Sequence, residues 1–251
     1  MCALFVSQAA FAQAAPDEWK FTAGLGVASS PLYPGSADTK VRALSVLSAG
    51  YGRYFVGGVP GAGIPAGVGA YLVQDQHWRL GVGLGGNIES PRKESDSPRL
   101  RGLGDIDRTA LGAVFGSYAD QWFELRAGVL GDIGGKHHGT RVSLDAELRY
   151  ALTDRLMITG GPGLTWADGQ YTQTFFGIDA AQSAASGLAV YTAKSGINSV
   201  RIGFGANYGL TPNWGIGARI TASSLRGDAA DSPITEKKSQ NTVAVFVTYR
   251  F

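Results

Sequence analysis

The stretch "TRVSLDAELRYAL", residues 140–152, decides how this chain folds. Val142, Leu144, Ala146, Leu148 and Tyr150 occupy every second position, and Arg141, Ser143, Asp145, Glu147 and Arg149 occupy the positions between them. Side chains that alternate with period two lie on opposite faces of a β-strand. Four charges on one face of a strand are not tolerated in a dry core, because an unpaired buried charge is costly. They need water or one another, and the lumen of a closed barrel supplies both. From Val142 to Tyr150 the opposite face carries no polar group except the Tyr150 hydroxyl, so it suits a hydrocarbon solvent.

The same alternation recurs along the chain. Residues 19–28 place Trp19, Phe21, Ala23, Leu25 and Val27 on one face, and residues 78–88 place Trp78, Leu80, Val82, Leu84 and Ile88 opposite Arg79 and small or polar residues. The last segment, "NTVAVFVTYRF" (241–251), aligns Val243, Val245, Val247, Tyr249 and Phe251, with Thr242, Ala244, Thr248 and Arg250 mainly on the other face. About twelve strands are expected, near 19–28, 41–49, 51–58, 66–74, 78–88, 108–119, 121–133, 140–151, 155–167, 197–210, 213–225 and 240–251. The third is interrupted by Gly57 and Gly58, and ten strands is the alternative count. Tight connections ("AGYG", "QDQH", "ADQ", "LTDR", "LTPN") alternate with long ones at 29–40, 59–65, 89–107, 134–139, 168–196 and 226–239. Short turns on one rim and long loops on the other characterise bacterial outer-membrane barrels. Trp19, Trp78, Trp122, Trp214, Tyr249 and Phe251 stand at strand ends, where interfacial aromatic belts belong.

The expectation is an all-β protein: a closed antiparallel transmembrane β-barrel over residues 15–251, with short periplasmic turns and long external loops, located in the cell outer membrane. A soluble sandwich or lipocalin-like barrel would bury large apolar side chains inside. The second faces of these strands read instead as Gly, Ser, Thr, Asn and charge, so a small and polar lumen is expected. Composition agrees: Gly contributes 37 of 251 residues, about twice the usual share, and charged residues only 17%. No run approaches the ~20 apolar residues of a membrane-spanning helix. A net charge of +2 without a basic run gives no reason for a nucleic-acid partner. Cys2 is the sole cysteine, so no intramolecular disulfide forms. Residues 1–14, an apolar stretch with the cleavage candidates Ala10-Phe11-Ala12 and Ala12-Gln13-Ala14, read as a signal peptide shortened at its N-terminus.

No constellation for catalysis stands out. His137 and His138 with Asp132 do not make a metal site, because neighbouring residues of an extended strand point apart and a structural site needs four converging ligands. An outer-membrane lipase or deacylase needs Ser beside His. Ser143 is five residues past His138, on the opposite face of the strand. No cofactor is expected. In the loop after residue 88, Glu94, Asp96, Asp105 and Asp107 alternate with Arg92, Lys93, Arg99, Arg101 and Arg108. Two carboxylates ~5–9 Å apart would suit a glycosidase, but a mixed-charge network that orders the loop, with lipopolysaccharide phosphates at its basic positions, is the simpler reading. "SPLYPGS" (30–36) is turn chemistry: Pro31 and Pro34 fix φ, and Gly35 permits a positive one. Asp228 and Asp231 have the side chains to bond backbone amides in "GDAADSPI" (227–234). Together with Tyr33, Tyr171 and Phe176 these residues form the candidate external loop surface.

Several of these segments, in this order and spacing, resemble the MltA-interacting protein (MipA/OmpV) family: "GLGVASSPLYPGS" (24–36), "ESDSPRLRGLGDID" (94–107), "KHHGTRVSLDAELRY" (136–150), "WADGQYTQTFFGI" (166–178), "SGLAVYTAKSGINSV" (186–200), "LRGDAADSPI" (225–234) and the final "YRF". The resemblance implies a non-enzymatic outer-membrane protein, in some members a scaffold between a lytic murein transglycosylase and a peptidoglycan synthase, and in other relatives an antigen or adhesin. The alternating end with its terminal aromatic, Val247, Tyr249 and Phe251, looks like the signal read by the barrel assembly machinery. Two further classes stay open at this point, a small-solute channel and a surface adhesin.

Overall fold

The computed structural model describes residues 18–59, 63–87 and 89–251. The expected signal segment and Ile88 lie outside them. Twelve strands form one closed antiparallel barrel: β1 (Trp19–Pro31), β2 (Thr39–Tyr51), β3 (Tyr54–Val59), β4 (Ile64–Gln74), β5 (Trp78–Gly86), β6 (Ala110–Ala119), β7 (Phe123–Asp132), β8 (Thr140–Ala151), β9 (Leu156–Ala167), β10 (Gly196–Gly209), β11 (Trp214–Leu225) and β12 (Ser239–Arg250). Each strand pairs with its sequence neighbours, and β12 closes the ring on β1 with Val27 opposite Val245 and Ala23 opposite Tyr249. The interrupted third strand is real but short. It meets β2 through only three residue pairs, Ala49–Val56, Gly50–Phe55 and Tyr51–Tyr54, whereas β1 and β2 pair from Trp19–Tyr51 to Pro31–Thr39.

Pleating sends alternate residues outward, and the outer wall is apolar: Leu25, Leu47, Leu84, Val114, Leu148 and Phe204 are all more than half exposed. In water such a surface would drive aggregation. In a bilayer it is the solvent-matched face, and closure leaves no strand edge in the hydrocarbon. The rim bearing the short turns carries an aromatic girdle. Trp19 stacks on Phe21 at 5.5 Å, Trp78 meets Tyr118 edge-on at 5.0 Å, Trp122 meets Phe123 at 4.8 Å, and Tyr249 lies between Trp214 (4.9 Å) and Phe251 (4.7 Å). Amphipathic rings at this level bridge lipid and water.

The lumen departs from the expected small and polar lining. Ile64, Leu111, Ala113, Phe115 and Leu130 form a buried apolar cluster inside the barrel, with Phe55 and Tyr71 packed against it. The sequence conceals this cluster because each inward aromatic is matched across the strand pair by a glycine. Phe55 faces Gly69, Phe115 faces Gly81 and Phe246 faces Gly217. A Cβ on Gly81 would stand 2.6 Å from the Phe115 ring. The rings lie flat over bare backbone, a cross-strand pairing that protects the glycine strand and fills a narrow lumen. Much of the glycine content is therefore space for large inward side chains.

Candidate functional site

On β7 to β11 the lumen is charged, and below Arg141 the charges are matched. Arg201 Nε and Nη2 donate to Asp145 at 2.9 and 2.7 Å, and Arg201 Nη1 donates to Thr165 at 2.8 Å. The register explains the pairing: Asp145 on β8 and Arg201 on β10 both lie opposite Gly163 on β9, so the bridge crosses a residue without a side chain. One level nearer the short turns, Glu147 accepts from Arg219 at 2.8 Å and from Arg126 at 3.5 Å, and Arg126 also meets Glu124 at 2.8 Å. Arg149 pairs with Glu124 as well. Glu147 is 2% exposed and Arg126 8%. Guanidiniums paired with carboxylates in this geometry satisfy one another without bulk water. Sequence reading placed Arg141, Asp145, Glu147 and Arg149 inside but missed Arg201 and Arg219; the available signal was that each shares a strand face with neighbouring glycines, as in Arg201-x-Gly203-x-Gly205.

The long loops close the opposite end. Three short helices, α1 (Gly169–Phe176), α2 (Ala180–Ser186) and α3 (Gly227–Asp231), stand among them. Asp168 caps α1 by accepting from Tyr171 N at 2.7 Å, and Asp179 with Gln182 forms a capping box on α2. Four loops then contribute one shared core of Tyr33, Leu100, Leu103, Ile178 and Ile234, each at most 2% exposed. Full burial of such a side chain contributes about 1.5–3 kcal/mol relative to exposure, which is what holds polar loops over the mouth. A second cluster joins Phe176, Leu225, Ala229 and Ala230. The Tyr33 hydroxyl donates to Glu236 at 2.9 Å, and burial, with this carboxylate beside it, pushes its pKa well above the ordinary tyrosine value.

The loop residues singled out from sequence divide between the inside and the outside of this cap. Tyr33, Gly35 and Phe176 are buried within it. Gly35, at φ 98°, accepts from Glu236 N at 2.8 Å and Lys237 N at 2.9 Å, and a Cβ there would stand 2.7 Å from Thr235 Oγ1. Pro31 ends β1 opposite Thr39. Asp105 accepts from Glu94 N and Asp96 from Lys93 N, both at 2.8 Å, while the Glu94 carboxylate accepts from Gly104 N. Arg99 Nε donates to Pro233 O at 3.1 Å, joining two loops. Tyr171 stacks on Phe175 at 4.4 Å, and Asp228 accepts from Lys194 N at 2.7 Å. Arg101 is exposed; Asp107 and Asp231 are exposed partners of Lys136 and Lys238. At the seam of the barrel Val247 pairs with Leu25 and Ile216, Tyr249 with Ala23 and Trp214, and Phe251 N donates to Phe21 O at 3.1 Å while its side chain is exposed.

A closed twelve-stranded barrel with an apolar outer wall, an aromatic girdle at its short-turn rim, a lumen crossed by ion pairs and rings, and a loop cap on its long-loop end defines a transmembrane β-barrel protein of the bacterial outer membrane. The comparison with known families is specific: the profile described as MltA-interacting protein MipA matches residues 23–251. The chain belongs to the MipA family. It is 25% identical over 255 residues to the MltA-interacting protein of Escherichia coli (strain K12), covering 100% of this chain and 98% of that protein. It is 23% identical over 164 residues to the putative outer membrane protein YiaT of the same strain, covering 65% of this chain and 66% of the relative. Among solved structures, the NanC porin in a rhombohedral crystal form superimposes with a TM-score of 0.45 at 10% identity, covering 92% of this chain and 99% of the porin.

Proposed function

We propose that this barrel is a non-enzymatic anchoring protein that holds a lytic murein transglycosylase, and through it a peptidoglycan synthase, against the inner surface of the outer membrane. Membership of a family described by its interaction with MltA supports the choice of partner. The observation that carries the reading is the filled interior: Arg126, Glu147 and Arg149 are at most 8% exposed at mid-lumen, and the cap core lies over the mouth. A conduit leaves such groups wet, whereas an anchor needs only its rims. On the periplasmic rim the exposed turns include "LTDR" (152–155) and "LTPN" (210–213). In the same reading the exposed basic residues of the cap, Arg101 among them, contact lipopolysaccharide phosphates, and Val247, Tyr249 and Phe251 are read by the assembly machinery during insertion. Photo-crosslinkers at Asp154 and Thr211 test the anchoring. Capture of a murein transglycosylase from both positions in native envelopes, and from none in the cap, is the expected result. Open-pore conductance in planar bilayers, with no transglycosylase captured, would replace the anchor by a channel.

A further inference from the structure

Beneath the cap lies a cavity of about 40 Å³, room for about three waters. Its walls include the apolar Leu130 and Phe175 and the polar side chains of Asn87, His138, Arg141 and Tyr171. None of the lining residues is acidic. Two neighbouring carboxylates are engaged with backbone amides: Asp132 accepts from His138 N at 3.0 Å and Gly134 N at 2.8 Å, and Asp168 from Thr140 N at 2.8 Å and Tyr171 N at 2.7 Å.

The guanidiniums here differ from those lower in the lumen. Arg126, Arg149, Arg201 and Arg219 each meet a carboxylate. Among the described residues, the partner of Arg141 is the Gly63 carbonyl, at a long 3.4 Å. Arg92 follows Pro91 in the cavity wall and is 3% exposed; its Nη1 donates to the carbonyl of Phe175 at 3.1 Å, and its Nε is buried without an acceptor among the described residues. Burial pushes the Arg92 pKa down to about 10, with Tyr33, Asp105 and Glu94 as the nearest opposing influences, so the group keeps its charge at neutral pH. Asp105 and Glu94 act on this cation without an ion pair to it among the described residues, and a buried cation that lacks a directly bonded partner is unfavourable.

We propose that this chamber is a binding site for a compact carboxylate: one carboxylate group, with its three heavy atoms, sits against Arg141, His138 and Tyr171, and its charge compensates the buried Arg92 behind the wall. The Asn87 amide and the imidazole of His138, held neutral by burial, add uncharged donors. The carboxylate is that of formate or acetate, and the apolar wall of Leu130 and Phe175 meets the acetate methyl. Because Pro34, His138, Tyr171 and Phe175 come from three separate loops, occupancy also ties the cap to the barrel.

The test uses the full barrel in detergent micelles, with the unfolding midpoint measured by heat-modifiable mobility against formate, acetate, phosphate or chloride at constant ionic strength. Saturable stabilisation by formate and acetate, absent with chloride, is the expected result. Arg141→Gln abolishes it, Arg141→Lys restores part of it, and Arg42→Gln, which removes a cation bonded to Ser30 and Leu32, leaves it intact. Arg92→Met raises the midpoint without anion and blunts the response to acetate. Calorimetric titration of acetate into the folded barrel provides a readout independent of folding. Saturation by phosphate alone, or an equal response in the parent and Arg141→Gln proteins, overturns the assignment.

Discussion

Glu147 sits between two guanidiniums, 2.8 Å from Arg219 and 3.5 Å from Arg126. Removing one partner of a buried pair costs more than the pair itself is worth, because the remaining charge is stranded. Glu147→Gln is therefore expected to destabilise the refolded barrel by about 3–5 kcal/mol, with part of the loss recovered in the double variant Glu147→Gln/Arg219→Gln; urea titration in micelles checks both. Neighbouring positions on the same strand separate wall from lumen. Leu144→Arg places a charge in hydrocarbon and is expected to cost about 2–4 kcal/mol near the midplane, while Ser143→Arg, facing inward, costs much less. Leu144 is 46% exposed, and Ser143 Oγ points to the Gly128 carbonyl at 3.5 Å. Equal losses at the two positions would invert the faces.

Among the elements, the turn joining β4 to β5 illustrates how so short a connection is held. The Asp75 carboxylate accepts from Trp78 N at 2.7 Å and His77 N at 2.8 Å, and these two amides hold its pKa below the ordinary carboxylate value. A carboxylate with a depressed folded pKa contributes its stabilisation fully above its unfolded pKa, about 4, and loses it as pH falls through the folded value. Protection of the His77 and Trp78 amides, relative to their intrinsic exchange rates, is thus expected to fall below about pH 4 in the parent protein, and Asp75→Asn to make that protection independent of pH. Among the described residues, the shortest strand pairing is β2 with β3, at three residue pairs. Local opening follows local contact, so amides of β2 before Ala49 are expected to exchange before those of β10, which pairs along most of its length with both neighbours.

At the scale of the whole molecule, topology makes a directional claim. A cysteine at Ala184, exposed on α2 in the cap, should label with an impermeant reagent on intact cells, and one at Thr211 on the short-turn rim should not. Deleting Phe251, whose ring is 74% exposed, removes little packing; a large fall in membrane-inserted protein with a small change in unfolding free energy would mark it as an assembly signal, and parallel small losses would leave it as girdle.

The fold was legible in the sequence because lipid demands apolar side chains at every second outward position, and Leu144, Leu148, Val243 and Val245 meet that demand locally. Turn lengths, strand number and the outward girdle follow from the same local constraints. Tertiary structure alone decided the inside and the cap. Arg201 finds Asp145 only when β8, β9 and β10 lie in register across Gly163; Phe55 and Ile64 meet Phe115, on β6, only when β3 to β6 curve around the lumen. Tyr33 and Ile234, 201 residues apart, share a core because β1 and β12 are neighbours at the seam. Outward positions answer to a uniform solvent, which each residue meets by itself, whereas lumen and cap residues answer to one another, and their partners are fixed by register and closure.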